Sequence, residues 1–244
     1  MQSQYDSKMA FSEHFSELYK IIRTTALGIA IISIFMSLFI DDILRKWLNE
    51  LFLDQDGYSF AVYSPYDWIA MKWALLLIFS FAIILPYTSF RIRSFALPGL
   101  YPDEKKWFTF SLIFSGFIIP FTLFLVWFLA IPFIINYFND MGVIFGGEDV
   151  ISAKYDAVAI ISIGIGFSWI LVVGVMTTLI LSFSRLFGMV ENKESRIRIR
   201  IILISFSIIV LSLPKTYNGL RIIISLATVL IADSISRLTP IIEK

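Results

Sequence analysis

Cysteine is absent from all 244 residues. That excludes disulfides, thiol catalysis and cysteine-held metal. The single histidine, His14, leaves no basis for a metal centre built from clustered histidines. Charge is scarce: Asp, Glu, Lys and Arg make up 16% of the chain, against about 25% in soluble domains. The formal net charge is +1, so no broad basic field points to nucleic acid. Catalytic signatures are missing as well. There is no HExxH, no GxSxG, no phosphate-cradling glycine loop and no pair of carboxylates inside an apolar run. The glycines of "GIGFSWILVVG" sit in an apolar helical stretch and do not make a nucleotide loop. The opening "MQSQYDSKMAFSEHFSELYK" lacks the basic-then-apolar order of a cleavable signal. These absences argue against an enzyme, and no cofactor is implied.

What the chain has is apolar surface. Hydrophobic residues make up 58% of it, and phenylalanine alone occurs 24 times. A core of this size cannot bury that excess, so part of it must face lipid. A membrane-crossing helix needs about 20 apolar residues. Six candidates lie near 24–40, 68–90, 107–131, 155–183, 199–213 and 220–236. The last two are short. Fifteen residues reach only about 22 Å at 1.5 Å each, so the bilayer thins there or flanking residues snorkel. The expected fold is an all-α integral membrane protein, one membrane domain over 1–244. With six crossings, fourteen Lys and Arg fall on the side of both termini and five on the other, with Lys72 inside the second span. The excess of cations places both termini in the cytoplasm. The two longer outside segments, about 41–67 and 132–154, read as acidic loops. Residues 1–23 form a cytoplasmic N-terminal segment. In it Phe11, Phe15, Leu18 and Ile22 recur at helical spacing, which predicts an amphipathic helix lying at the interface.

Some features have plain structural readings. Pro86, Pro120, Pro132 and Pro214 kink or end helices. Ser162 and Gly166, four apart, permit a close backbone approach. Asp233 in the sixth span has Arg237 four residues on, the spacing of an ion pair on one face. Lys72, one turn into the second span, snorkels outward or meets Asp67. Two acids stand differently. Glu17, in "SEHFSELYKIIR", precedes the first span, and Glu104, in "LPGLYPDEKKWF", precedes the third. Each reads as a solvated charge on spacing alone. Held near each other on a rigid surface, however, they suit a basic peptide, because one carboxylate accepts two hydrogen bonds from one guanidinium.

The same stretches carry a family resemblance. "HFSELYKIIR" resembles the His-x-x-Glu-Leu-Arg-x-Arg opening of TatC, the receptor subunit of twin-arginine protein translocases. "FALPGLYPDEKKW" resembles that family's first cytoplasmic loop through Phe95, Pro98, Gly99, Leu100, Tyr101, Glu104, Lys105 and Lys106. Pro65, Asp67 and Lys72 are similar to a further family segment, and Pro132 to the proline that ends the third span. The resemblance implies a non-enzymatic Sec-independent translocase subunit in the cell membrane or an organellar inner membrane. It would bind the twin-arginine signal peptides of folded precursors at its cytoplasmic face. It would assemble with single-span subunits of the TatA and TatB type in a homo- or hetero-oligomer, with export driven by the proton-motive force. By motif, Glu17 and Glu104 are the acids that contact the signal arginines. Pro98, Leu100, Tyr101 and His14 are carried over as further members of the site. Differences from the family pattern fall at Tyr19 for an arginine, Ser168 for a glutamate of the fourth span, and "SLPKTYNG" for a Thr-Pro-Pro-Asp turn. The alternative from another class is a small secondary transporter with a midplane site. It calls for repeats and interrupted helices, and no repeat is visible.

Overall fold

The computed structural model describes residues 11–51, 59–140, 154–188 and 196–239. Long apolar runs with few glycines or prolines set the architecture. α1 (Phe11–Ser37), α3 (Pro65–Ala96), α4 (Pro102–Leu125) and α6 (Ala157–Leu186) are the long helices. α2 (Ile40–Glu50) and α5 (Ile131–Asp140) are short, and α7 (Arg196–Ser212) and α8 (Arg221–Ser236) close the chain. Among the described residues, four helical stretches are long and apolar enough to cross a membrane: His14–Ser37, Pro65–Gly99, Glu104–Tyr137 and Ala157–Leu186. α7 has 17 residues and α8 has 16. They reach about 26 and 24 Å, short of a hydrocarbon core of about 30 Å.

α1 and α3 run antiparallel, held by paired small polar residues. The Thr25 and Thr88 hydroxyls lie 3.1 Å apart, and the Ser33 hydroxyl donates to Ser80 at 2.9 Å. α6 is the axis of the bundle and packs against α3, α4, α7 and α8. Its small residues permit this. An added Cβ at Gly164 would strike Ile131 and Trp127, and one at Gly166 would strike the ring of Tyr217. The close approach read from Ser162 and Gly166 therefore exists, and a turn fills it. The Ser162 and Thr216 hydroxyls lie 3.0 Å apart, and the Tyr217 hydroxyl donates to the Ile163 carbonyl at 2.7 Å. Burial pushes the Tyr217 phenol up to about 12.

Several expectations change. The N-terminal amphipathic segment leads into the first apolar run as one helix from Phe11, because nothing between them breaks it. Its Phe15, Leu18 and Ile22 are exposed, whereas Ile21 is buried. The amphipathic stripe read from the sequence is thus the outward one, and the stripe of His14, Glu17 and Ile21 leads into the bundle. The acidic segment 41–67 contains α2, whose Ile40, Leu44, Trp47 and Leu48 are buried at helical spacing. Asp41 and Asp42 occupy its first turn, where the helix dipole favours anions. This return also corrects the partner of Lys72. Its ammonium meets Asp41 at 2.5 Å, while the Asp67 amide donates to the Ser64 side chain at the start of α3. The third apolar run starts earlier than expected, at Pro102, and passes through a π turn, Val126–Ala130, into α5. The bundle is all-α as expected, with one addition. Residues Ser59–Ala61 (β1) pair in parallel with Lys154–Asp156 (β2), tying the two outer segments together.

Candidate functional site

The two motif stretches meet at one end of the bundle. His14, near the start of α1, lies edge-on to Phe95, at the end of α3, with ring centroids 6.2 Å apart. Glu17 follows His14 by three residues, on the same face of α1, and is exposed. Phe95 leads directly into a single 3-10 turn, Leu97–Gly99, and then into α4. Pro98 and Gly99 are exposed there, and Leu100 tucks beneath them against a small core of Phe108, Leu112 and Leu186. Phe183 and Phe187 from the end of α6 complete that core, with Phe108 and Phe183 centroids 4.6 Å apart. The loop is therefore braced from below by two other helices.

Glu104 occupies the third position of α4. Pro102 fits the first turn, where no amide partner is lost. The Tyr101 amide donates to Glu104 Oε2 at 3.1 Å, which is the side-chain half of a capping box. The Tyr101 carbonyl accepts the Lys105 amide at 2.9 Å. Glu104 is only 3% exposed, whereas Tyr101 stands well out from the surface. The two acids thus differ. Glu17 is open to a partner, and Glu104 is turned back onto its own helix start with one oxygen engaged. The basic residues Lys105 and Lys106 follow it on the outside of the first turn.

Two polar sites lie elsewhere. Ser168, fully buried in α6, receives the Trp127 indole N–H at 3.0 Å and donates to the Gly164 carbonyl at 2.7 Å. The Trp127 carbonyl in turn accepts the Trp47 indole N–H at 3.0 Å. The π turn loosens the helical ladder at this point, and every polar atom of this relay has a partner. The second site joins the ends of the last helices. Asp233 takes a two-pronged grip from Arg198, at 2.7 and 2.5 Å, and a second from Arg237, at 3.2 and 2.9 Å. The pairing with Arg237 follows from its spacing. Arg198, 35 residues away, is the partner that sequence reasoning misses, since no local pattern connects them. Among the described residues, no group of three His, Asp or Glu lies close enough to hold a metal ion.

Comparison with known proteins gives one family and one fold. The family model for "Sec-independent protein translocase protein (TatC)" matches residues 13–217. A crystal structure titled "Crystal Structure of Twin Arginine Translocase Receptor- TatC" superposes with a TM-score of 0.63 at 17% identity, covering 93% of this chain and 99% of that one. At that identity the likeness speaks for the fold alone. No curated protein sequence matches the chain at a significant level.

Proposed function

We propose, from the premise that this chain belongs to the TatC family of Sec-independent protein translocase proteins, that it is the receptor for twin-arginine signal peptides. The observation that carries the reading is the His14–Phe95 contact. It supports one surface built from the start of α1 and the loop before α4, with an acid in each part. The family assignment sets aside the small secondary transporter.

In this reading α7 and α8 are the fifth and sixth crossings, and both termini lie in the cytoplasm with the cation-rich loops. Glu17, being exposed, accepts the first guanidinium. At an exposed surface such a pair contributes only about 0.2–1 kcal/mol. Glu104 accepts the second by releasing the Tyr101 amide, an exchange of one hydrogen bond for a charged pair worth roughly 1.5–3 kcal/mol. Bidentate geometry prefers arginine to lysine. The outward stripe of Phe15, Leu18 and Ile22 is the apolar surface for the peptide's hydrophobic stretch. Single-span Tat subunits bind against the remaining exposed helix faces, and the proton-motive force drives transport. The protein acts by binding, without catalysis, in the cell membrane or an organellar inner membrane.

The test is photo-crosslinking of a twin-arginine precursor to the full chain in membranes. Glu17→Ala and Glu104→Gln should each lower the yield strongly, as should two lysines in place of the signal's arginines. Parental yields from both variants would refute the site.

A further inference from the structure

A groove of about 1120 Å³ runs along the outer side of α3 and α4. Three cations, Arg93, Lys105 and Lys106, line one end of it. Below them Phe110, Phe114, Phe117 and Phe121 descend one face of α4 at spacings of four, three and four. All four rings are more than half exposed, and Phe110 and Phe114 are stacked with centroids 5.7 Å apart. Among the described residues, no acid lines the groove. Glu104, the nearest in sequence, is turned back to the Tyr101 amide. Among the described residues none of the three cations pairs with an acid. The Arg93 Nε donates to the Thr109 hydroxyl at 3.3 Å.

We infer that this groove binds one anionic glycerophospholipid of the leaflet that meets the start of α4. The order of chemistry along the helix is that of a lipid: cations, a hydroxyl, then aromatic wall. Lys106 to Phe121 spans about 22 Å at 1.5 Å per residue, enough to line one leaflet's hydrocarbon, about 15 Å deep. Near a membrane surface each Lys or Arg attracts anionic lipid by about one order of magnitude or less, so three at one mouth give selectivity, not mere wetting. Two rival occupants fit poorly. A partner helix packs where small residues let backbones approach, and this wall is phenylalanine. A signal peptide brings its own arginines, and the described residues lining the groove offer them no acid. The inference takes the cation-rich end to lie at a membrane surface, as the proposed topology has it. It does not depend on signal-peptide binding. A bound lipid here would also fix the first turn of α4, the turn that carries Glu104.

The experiment uses the full chain purified in neutral detergent and offered equal amounts of phosphatidylglycerol and phosphatidylcholine with identical chains. Retained lipid is counted by native mass spectrometry. Phosphatidylglycerol should be kept in preference by roughly tenfold or more. Arg93→Gln should reduce that ratio, and the triple variant R93Q/K105Q/K106Q should bring it close to one. The charge-keeping variant K105R/K106R should retain it, as should R45Q/K46Q, whose cations lie on α2 outside the groove. Soluble glycerol phosphate should not displace the lipid. Equal retention of the two lipids by the parent would overturn the inference. So would a preference that survives the triple variant, or displacement by glycerol phosphate alone. Because no precursor is present, failure here leaves the receptor reading untouched, and loss of precursor binding leaves this one untouched.

Discussion

Glu104 carries two demands that one side chain must meet in turn. As the third residue of α4 it satisfies the Tyr101 amide, and as the proposed signal contact it must offer a carboxylate to a guanidinium. The two roles separate by substitution. Glutamine keeps an acceptor at the cap but carries no charge, whereas alanine removes both. Thermal unfolding of the purified chain should therefore show Glu104→Gln close to the parent. Glu104→Ala should lose about 1 kcal/mol, the usual cost of a lost cap. Glu17→Ala, at an exposed position, should leave stability unchanged. The acid itself was legible in the sequence, through the motif around it. Its buried, capping posture was not, although Pro102 followed two residues later by a glutamate is a helix-start pattern. Lys72 teaches the same lesson from the other side. Asp67 is its near neighbour in sequence, but α2 returns over the bundle and supplies Asp41 from 31 residues away.

At the scale of elements, the ends of α7 and α8 are joined by Asp233. The carboxylate is almost wholly buried and holds both Arg198 and Arg237. Arg198 is largely buried too, and Arg237 is half exposed. Removing Asp233 leaves a buried guanidinium without its acid, which typically costs 3–5 kcal/mol. Asp233→Ala should thus destabilise the chain severely, while Arg237→Ala should cost no more than about 1 kcal/mol. Denaturant unfolding in detergent reads both, and equal effects would assign the anchoring to the wrong arginine. Helix existence was legible throughout the apolar runs. The boundaries and interruptions were not, because the π turn at Val126–Ala130 and the helix α2 arise from packing around Trp127 and Trp47. A charged eleven-residue helix with acids in its first turn reads as a loop until its buried stripe has something to cover.

At the scale of the molecule, α6 organises the bundle. α3, α4, α7 and α8 pack on it, and its glycines and serines admit the neighbours. Among the described residues, four stretches are long and apolar enough to cross a bilayer. That α7 and α8 cross as well is the proposed topology, drawn from the cation asymmetry of the loops and consistent with Asp233 joining their ends. The absence of cysteine makes that topology directly testable. A cysteine placed at Asn218, between α7 and α8, should react with a membrane-impermeant reagent added outside intact cells, and one placed at Thr239, after α8, should be shielded. Labelling of both would put the two positions on one side, so that α8 does not cross, against the six crossings proposed.

Two acids, one on α1 and one at the start of α4, are proposed to read paired arginines on one surface. The most direct measurement is the crosslinking yield of a twin-arginine precursor to Glu17→Ala and Glu104→Gln chains whose melting matches the parent. A strong loss is expected in each, and a comparable loss when the signal carries two lysines. Full yields from both stable variants would contradict the proposed site.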